Sequence, residues 1–247
     1  MQRWAIYIDI EGSSKIYAHD EAQFFASVNA LLDGICRIGS QVCPETPHRL
    51  FVHQTGGDGF VIVSEFAQGN PEMPIAIALI LMQTVLATGG VAKAGIAQGE
   101  FGDIQSCLPT LQDYPPDEHG RRRLGRGILQ VFPVMGSALT NAHRLATQKP
   151  RGARLAVDRA MIKQMPAHLV VSHESAELVV VDWIHTALDE IEEISSRAGI
   201  QLLAAIELRD RLLAYVTRIG NTADEEWKRC TLRLNGCGGD DAASCPK

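Results

Sequence analysis

The chain predicts an α+β protein, a sheet laid down in the order β-α-β-β-α-β-α-β with helices packed on one face. Three observations carry this reading. Short β-prone runs ("AIYIDI", "RLFVHQT", "FVIVSEF", "VAKAGIAQGEF") alternate with stretches of helical apolar spacing. Two of the β-prone runs flank "GGDG", which reads as a hairpin turn that tolerates positive φ. The most apolar run, Ile75 to Met82 and on to Thr88, ends at Gly89-Gly90, a helix stop.

The elements follow in order. Ala5 to Ile10 is the first strand. Asp20 is placed to cap a helix in which Phe24, Phe25, Val28, Leu31, Leu32, Ile35 and Ile38 recur at helical spacing up to Gly39. The hairpin comes next, then a helix over Pro71 to Thr88. A strand at "VAKAGIAQGEF" leads into a long polar loop whose tip is "DYPPDEHGRRRLGRG". "GSALTNAHRLATQKPRG" reads as a third helix ending before Pro150, and "ARLAVDRAMIKQM" and "LVVSHESAELVVVDWI" close the sheet. From about His185 the pattern changes to long amphipathic helices, Ala187 to Arg197 and Ile200 to Arg218, whose stripes (Leu188, Ile191, Ile194; Leu202, Leu203, Ile206, Leu208, Leu212) suit core or dimer packing. Three regions are therefore expected: a sheet-bearing domain at 1–184, a helical extension at 185–234, and a flexible tail at 235–247.

Composition limits the function classes. The 247 residues, 46% of them hydrophobic, suffice for a sizeable core. A net charge of -6 argues against nucleic-acid binding. The run broken by Gln83 is too short to span a bilayer, and no signal peptide precedes the first strand, so a cytoplasmic protein without membrane insertion is expected. The six cysteines form no CxxC pair. Cys36 falls on the helical apolar face and is expected to be a core thiol, while Cys230, Cys237 and Cys245 are loosely spaced and lack a neighbouring histidine.

Two carboxylates break the apolar pattern. Asp9 interrupts the first strand just ahead of Glu11 and "GSS", and Asp58 stands at the tip of the glycine-rich hairpin. If the hairpin lies beside the first strand, the two acids meet at one sheet edge and repel unless a hard cation neutralises them. Small residues around each (Gly12-Ser13-Ser14, Gly56-Gly57) let backbone approach a phosphate closely. These are parts of a two-metal site for phosphoryl chemistry. Taken singly, Asp58 also suits a plain turn and Asp9 a satisfied strand carboxylate.

The blocks "IYIDIEGSSKIYA", "HQTGGDGFVIV", "VAKAGIAQGEF" and "GSALTNAHRLA" resemble, in order, the four signature blocks of class III nucleotidyl cyclases, the adenylate and guanylate cyclase catalytic domains, from Trp4 to Ile184. The resemblance implies a ferredoxin-like palm with a βαββαβ core. It implies a head-to-tail homodimer with active sites at the interface. It places two metal ions, Mg²⁺ or Mn²⁺, on Asp9, the Ile10 carbonyl and Asp58, and a transition-state cation, Arg144, supplied by the other protomer.

Three departures qualify the match. Thr140 replaces the ribose-orienting asparagine, with Asn141 displaced by one position. The base-reading position in the hairpin is Gln54, where adenylate cyclases have Lys and guanylate cyclases Glu; the second such position falls near Pro133. The triphosphate-binding Lys of the last strand is missing from "LVVVDWIHT", leaving Lys93 or the loop arginines Arg121, Arg122, Arg123 and Arg126 as substitutes, unless these are a solvated basic loop. The chain is most similar to the bacterial pyrimidine cyclases of the Pycsar anti-phage systems. That likeness implies UTP as substrate, read by Gln54 with Phe51 or His53 beside it, cyclic UMP as product, and a separately encoded effector. A glutamine amide donates and accepts, so the hairpin leaves UTP and CTP both open. The alternatives are a cytidylate or purine cyclase, a diguanylate cyclase (disfavoured by Gly59 where the second acid belongs), and a silent nucleotide-binding scaffold.

Overall fold

The expected strands and helices form in the expected order, but the helix read from Ile200 begins only at Ala205, and the polar loop contains a short hairpin, 121–130. The computed structural model describes residues 2–12, 16–18, 20–44, 49–66, 71–103, 113–118, 121–124, 126–130, 134–164, 169–220 and 223–237. Strand β1 (Gln2–Ile10) leads to helix α1 (Glu21–Arg37), whose N-terminus is capped by Asp20, the side chain accepting from Gln23 N at 2.9 Å. A π-helical turn, Ile38–Val42, carries α1 beyond the expected stop at Gly39. Strands β2 (Leu50–Thr55) and β3 (Gly59–Ser64) form the hairpin, with Gly56 and Gly57 at φ 64° and 99°, backbone that only glycine adopts without strain. Helix α2 (Glu72–Ala87) and strand β4 (Ala92–Glu100) complete a β-α-β-β-α-β unit.

The hydrogen-bonded order of these four strands is β4-β1-β3-β2, all antiparallel, the split arrangement of a ferredoxin-like core. Strand β4 is followed by β5 (Gly102–Asp103), a separate hairpin of β6 (Arg121–Leu124) and β7 (Gly127–Gln130) within the long polar segment, β8 (Val134–Met135), and helix α3 (Ser137–Thr147). Strands β9 (Leu155–Asp158), β10 (Val171–Glu174) and β11 (Leu178–Val181) extend the sheet to seven strands, in the order β10-β11-β9-β4-β1-β3-β2. The protein is thus α+β.

The helices occupy both faces, not one. Even-numbered residues of β1 (Trp4, Ile6, Ile8, Ile10) point into a core shared with α1 and α2, while Ala5 and Tyr7 face Ala138, Ala142 and Leu145 of α3. Strand alternation makes this possible, because β1, β4 and β9 are apolar on both sides. Gly95 and Gly99 of β4 let α3 lie against the sheet: a Cβ on Gly95 would stand 2.2 Å from Ala142 O.

Helix α2 is apolar all round because it is covered all round. Its outer side meets α4 (Asp189–Ala198) and α5 (Ala205–Ile219), whose Ile191, Ile194, Leu208 and Leu212 belong to the same core as the sheet. The change of pattern at His185 is therefore not a break in packing; His185 N donates to buried Asp182 at 3.1 Å across that point. Ile206 and, on α1, Phe25 and Leu32 are exposed although they fit the apolar stripes. Cys36 is also exposed, contrary to expectation: Leu31, Ile35 and Ile38 already set the buried face of α1, and Cys36 lies one residue, about 100°, past it.

A last helix, α6 (Glu225–Leu234), was not legible as a periodic run; it is short, and Cys230, Thr231 and Leu234 are its buried residues. Residues 235–237, the start of the expected tail, are held in place. Asn235 is buried, and its amide donates to Ala153 O at 2.9 Å and Thr231 O at 2.7 Å. Residues 238–247 of the expected tail lie outside the described residues.

Candidate active site

The carboxylate ending β1 and the tip of the hairpin meet because β1 and β3 are paired. The register sets Asp9 opposite Gly59 on one side and Lys93 on the other, and Asp58 immediately precedes Gly59. Asp9 lies on the α3 face with Tyr7. Gly59 is the residue that fits there: a Cβ would stand 2.9 Å from Thr55 Oγ1 and 3.2 Å from Asp9 Oδ1.

The electrostatics follow from that placement. Burial raises the Asp9 carboxyl above its ordinary range; Lys93 pulls it down and the Asp58 charge pushes it up again. Asp58 Oδ2 is buried and has no hydrogen-bond partner among the described residues. An orphaned buried carboxylate oxygen is costly, and its usual explanation is an ion or water bound at that point. Lys93 Nζ stands 3.3 Å from Asp9 Oδ2 and makes a closer contact with Glu11 Oε1. Burial opposes the Lys93 charge, but Glu11 and Asp9 outweigh it, and its pKa lies above the ordinary value. Glu11 is held from the other side by Trp227 of α6, whose indole N–H donates to Oε2 at 2.5 Å. This contact joins residues far apart in sequence.

Other expected site residues are distributed unevenly. Gly12 has φ 71°, as a close-approach loop requires, while Ser13 and Ser14 lie outside the described residues. Ile10 is buried at the end of β1, its side chain in the α2-side core. Phe51 is half-buried beside Phe101 (ring centroids 5.7 Å apart) and shares the Asp9 face of the sheet with His53 and Thr55. Gln54 is opposite Phe60 and so takes the other face; its amide donates to Gly57 O at 2.5 Å, bracing the turn. Gln54 and Asp9 are not brought together. Pro133 lies outside the described residues.

Thr140 and Arg144 stand on exposed positions of α3. The Thr140 hydroxyl donates back to Gly136 O at 3.3 Å. Arg144 pairs with Glu177 and donates to Gln148 Oε1 at 3.0 Å; it lines a cavity of about 510 Å³ together with Asp158, Arg159 and Glu174. Glu177 precedes β11, three strands from β1, about 14 Å at ordinary strand spacing. One chain therefore separates Arg144 from Asp9. Of the loop arginines, Arg121 pairs with Asp117 at 3.0 Å and Arg122 donates to Tyr114 O, both local contacts of the β6–β7 hairpin.

Asp9, Asp58 and the Ile10 carbonyl fit a hard divalent cation: they are oxygen donors, and one carboxylate oxygen is buried without a partner. Lys93 already supplies one positive charge beside them. Among the described residues no cluster of three or more His, Cys, Asp or Glu forms a metal cage, so further ligands would come from water or substrate. No helix of the described residues is long and apolar enough to cross a membrane.

No protein-family model matches the chain, and no curated protein matches it. Solved structures do. A bacterial light-regulated adenylyl cyclase is similar over 80% of this chain and 55% of its own, at 14% identity and a TM-score of 0.47. The chain thus spans little more than half the length of that protein. The adenylyl cyclase CyaB of P. aeruginosa is similar over 73% of this chain and 92% of its own, at 10% identity and a TM-score of 0.44. A class III adenylyl cyclase-like ATP-binding protein, also from P. aeruginosa, covers 78% of this chain and 40% of its own, at 10% identity and a TM-score of 0.42.

Proposed function

We propose that the protein is a class III nucleotidyl cyclase that converts UTP to 3′,5′-cyclic UMP and pyrophosphate. The observation that carries the proposal is the end of β1 and β3, where half-buried Asp9 meets Asp58 with its partnerless buried oxygen at a glycine-built turn. In the reaction the ribose O3′–Pα bond forms, the Pα–O bond to the β-phosphate breaks, pyrophosphate leaves, and the hydroxyl proton goes to solvent. Asp9, Asp58 and the Ile10 carbonyl hold two divalent ions, Mg²⁺ or Mn²⁺, which supply the positive charge that favours the alkoxide and the leaving pyrophosphate.

The chain's own residues account for the rest of the proposal. Glycines 12, 56 and 57 let backbone approach the phosphates. Arg144 serves the site of a second copy, since its own Asp9 is out of reach; it leaves Glu177 to neutralise the α-phosphate. Thr140, beside it on α3, contacts the ribose. Phe51 shares the Asp9 face and is placed to pack on the substrate's apolar parts, while Gln54 supports the turn that carries Asp58. The absence of Lys or Glu at Gln54, with the likeness of "YIDIEGSS" to the pyrimidine branch, supports UTP. On this reading the product is a second messenger of cytoplasmic anti-phage defence, received by a separately encoded effector.

A second reading, a silent nucleotide-binding scaffold, is favoured by one observation: Lys93 already pairs with both Asp9 and Glu11. Incubating the protein with Mn²⁺ and each of ATP, GTP, CTP and UTP, with products identified by mass spectrometry, decides between them. Cyclic UMP that disappears in Asp58→Ala supports the proposal. Another cyclic nucleotide reassigns the base. Nucleotide binding with no product from any of the four leaves the silent scaffold or an enzyme that awaits an activator.

A further inference from the structure

The C-terminal helix α6 reaches the Asp9 end of the sheet through one side chain. Trp227 Nε1 donates to Glu11 Oε2 at 2.5 Å, and Glu11 Oε1 holds Lys93, which also faces Asp9 Oδ2 at 3.3 Å. The Glu11 side chain is 12% exposed, so its two oxygens are committed to these two partners. Tyr215 of α5 packs beside Trp227 (centroids 6.4 Å apart) and under Gly12. Helix α5 is itself tied to the end of α2, Arg211 donating to Ala87 O at 2.7 Å and Arg218 to Gly89 O. The indole is therefore presented from a fixed platform.

Lys93 is shared between two carboxylates of unequal pull. The closer contact is with Glu11, the longer with Asp9. Whatever holds Glu11 in place decides how far the ammonium is drawn away from Asp9. We propose that Trp227 is a positioning residue: it fixes Glu11, Glu11 retains Lys93, and Asp9 is thereby left open to a divalent cation. This rests on the metal reading of Asp9 and Asp58 given above. Without the indole, Glu11 swings, Lys93 closes on Asp9 and competes with the cation for the same oxygen. A group that hydrogen-bonds a ligand directly is worth about 10- to 100-fold in metal affinity, and Trp227, further removed, is expected at the low end, about 10-fold.

The test is a Mn²⁺ titration of the full chain, free Mn²⁺ being read by electron paramagnetic resonance, with circular dichroism confirming the fold of each variant. Trp227→Phe keeps one aromatic ring at the position and removes the donor. The expected result is Mn²⁺ binding about 10-fold weaker than wild type. Lys93→Met is expected to bind more tightly than wild type, and adding Trp227→Phe to it to change nothing further. A merely structural role for Trp227 would act equally in both backgrounds, and that result overturns the proposal. So does Mn²⁺ affinity in Trp227→Phe equal to or tighter than wild type. If wild type and Asp58→Ala titrate identically, the metal reading itself fails and the proposal falls with it; wild-type binding that is lost in Asp58→Ala but unmoved by Trp227→Phe sinks only the role of Trp227.

Discussion

Replacing Gly95 by Ala tests whether α3 lies directly on the sheet. The residue sits in mid-β4, where a Cβ would come 2.2 Å from Ala142 O, 2.7 Å from Ala146 N and 3.1 Å from Ala146 Cβ. Ordinary contact begins near 3.4 Å, so the helix must lift by about 1 Å. The obstacles are mostly backbone atoms of α3, so no rotamer change relieves the clash. Overpacking of this kind costs about 1–3 kcal/mol. For a chain of this length that is a fall in Tm of roughly 2–12 °C. Urea unfolding followed by circular dichroism should show the same loss as a lower midpoint with an unchanged slope. Gly39→Ala is the control: nothing lies within 4 Å of its would-be Cβ, and it sits in helical structure, so it should be neutral or slightly stabilising. Because α3 carries Thr140 and Arg144, the Gly95 variant should also lose turnover if those residues act in the reaction. Equal melting temperatures for wild type and Gly95→Ala would refute the close contact between α3 and β4.

Leu212→Ala should cost about 2–5 kcal/mol, because its side chain is fully buried in the core shared by α5, α2 and the sheet; a loss under 1 kcal/mol in urea unfolding would mean that the extension packs loosely. Thiol alkylation at pH 8, mapped by peptide mass spectrometry, should label Cys36 well before Cys43 and Cys237, since Cys36 is exposed and burial pushes the other two thiols up to about 11. Asp20→Ala should lower stability by about 0.5–2 kcal/mol, the loss of one N-cap, measured by the same urea titration. Burial lowers the His53 pKa, so the unfolded chain takes up that proton first. Its contribution is complete above the unfolded value of 6.5 and is lost as the pH falls from there through the lower folded value, a slope that should be absent in His53→Gln melts.

Local chemistry made much of this legible in one dimension. Asp20 before a helical stripe, Gly56-Gly57 between two β-prone runs and Gly89-Gly90 after an apolar run each act within a few residues of themselves, and each does what its pattern states. The meeting of Asp9 and Asp58 was also legible, because a hairpin has few places to go in a β-α-β-β-α-β unit. The exposure of Cys36 has a simple reason: helical spacing marks a broad stripe, and which part of it is buried depends on what packs there.

The sequence by itself determined the element order, the hairpin and the two carboxylates at the end of the first strand, since turn chemistry and hydrophobic period are short-range. Only the tertiary structure decided that helices cover both faces, that α4 and α5 enclose α2, and that Gln54 faces away from Asp9. Only it placed Trp227 on Glu11 and Lys93 between Glu11 and Asp9. These are contacts between residues tens to hundreds of positions apart, fixed by strand register and helix packing. No local pattern encodes such a pair, because the free energy that selects it belongs to the assembled core and not to either segment alone.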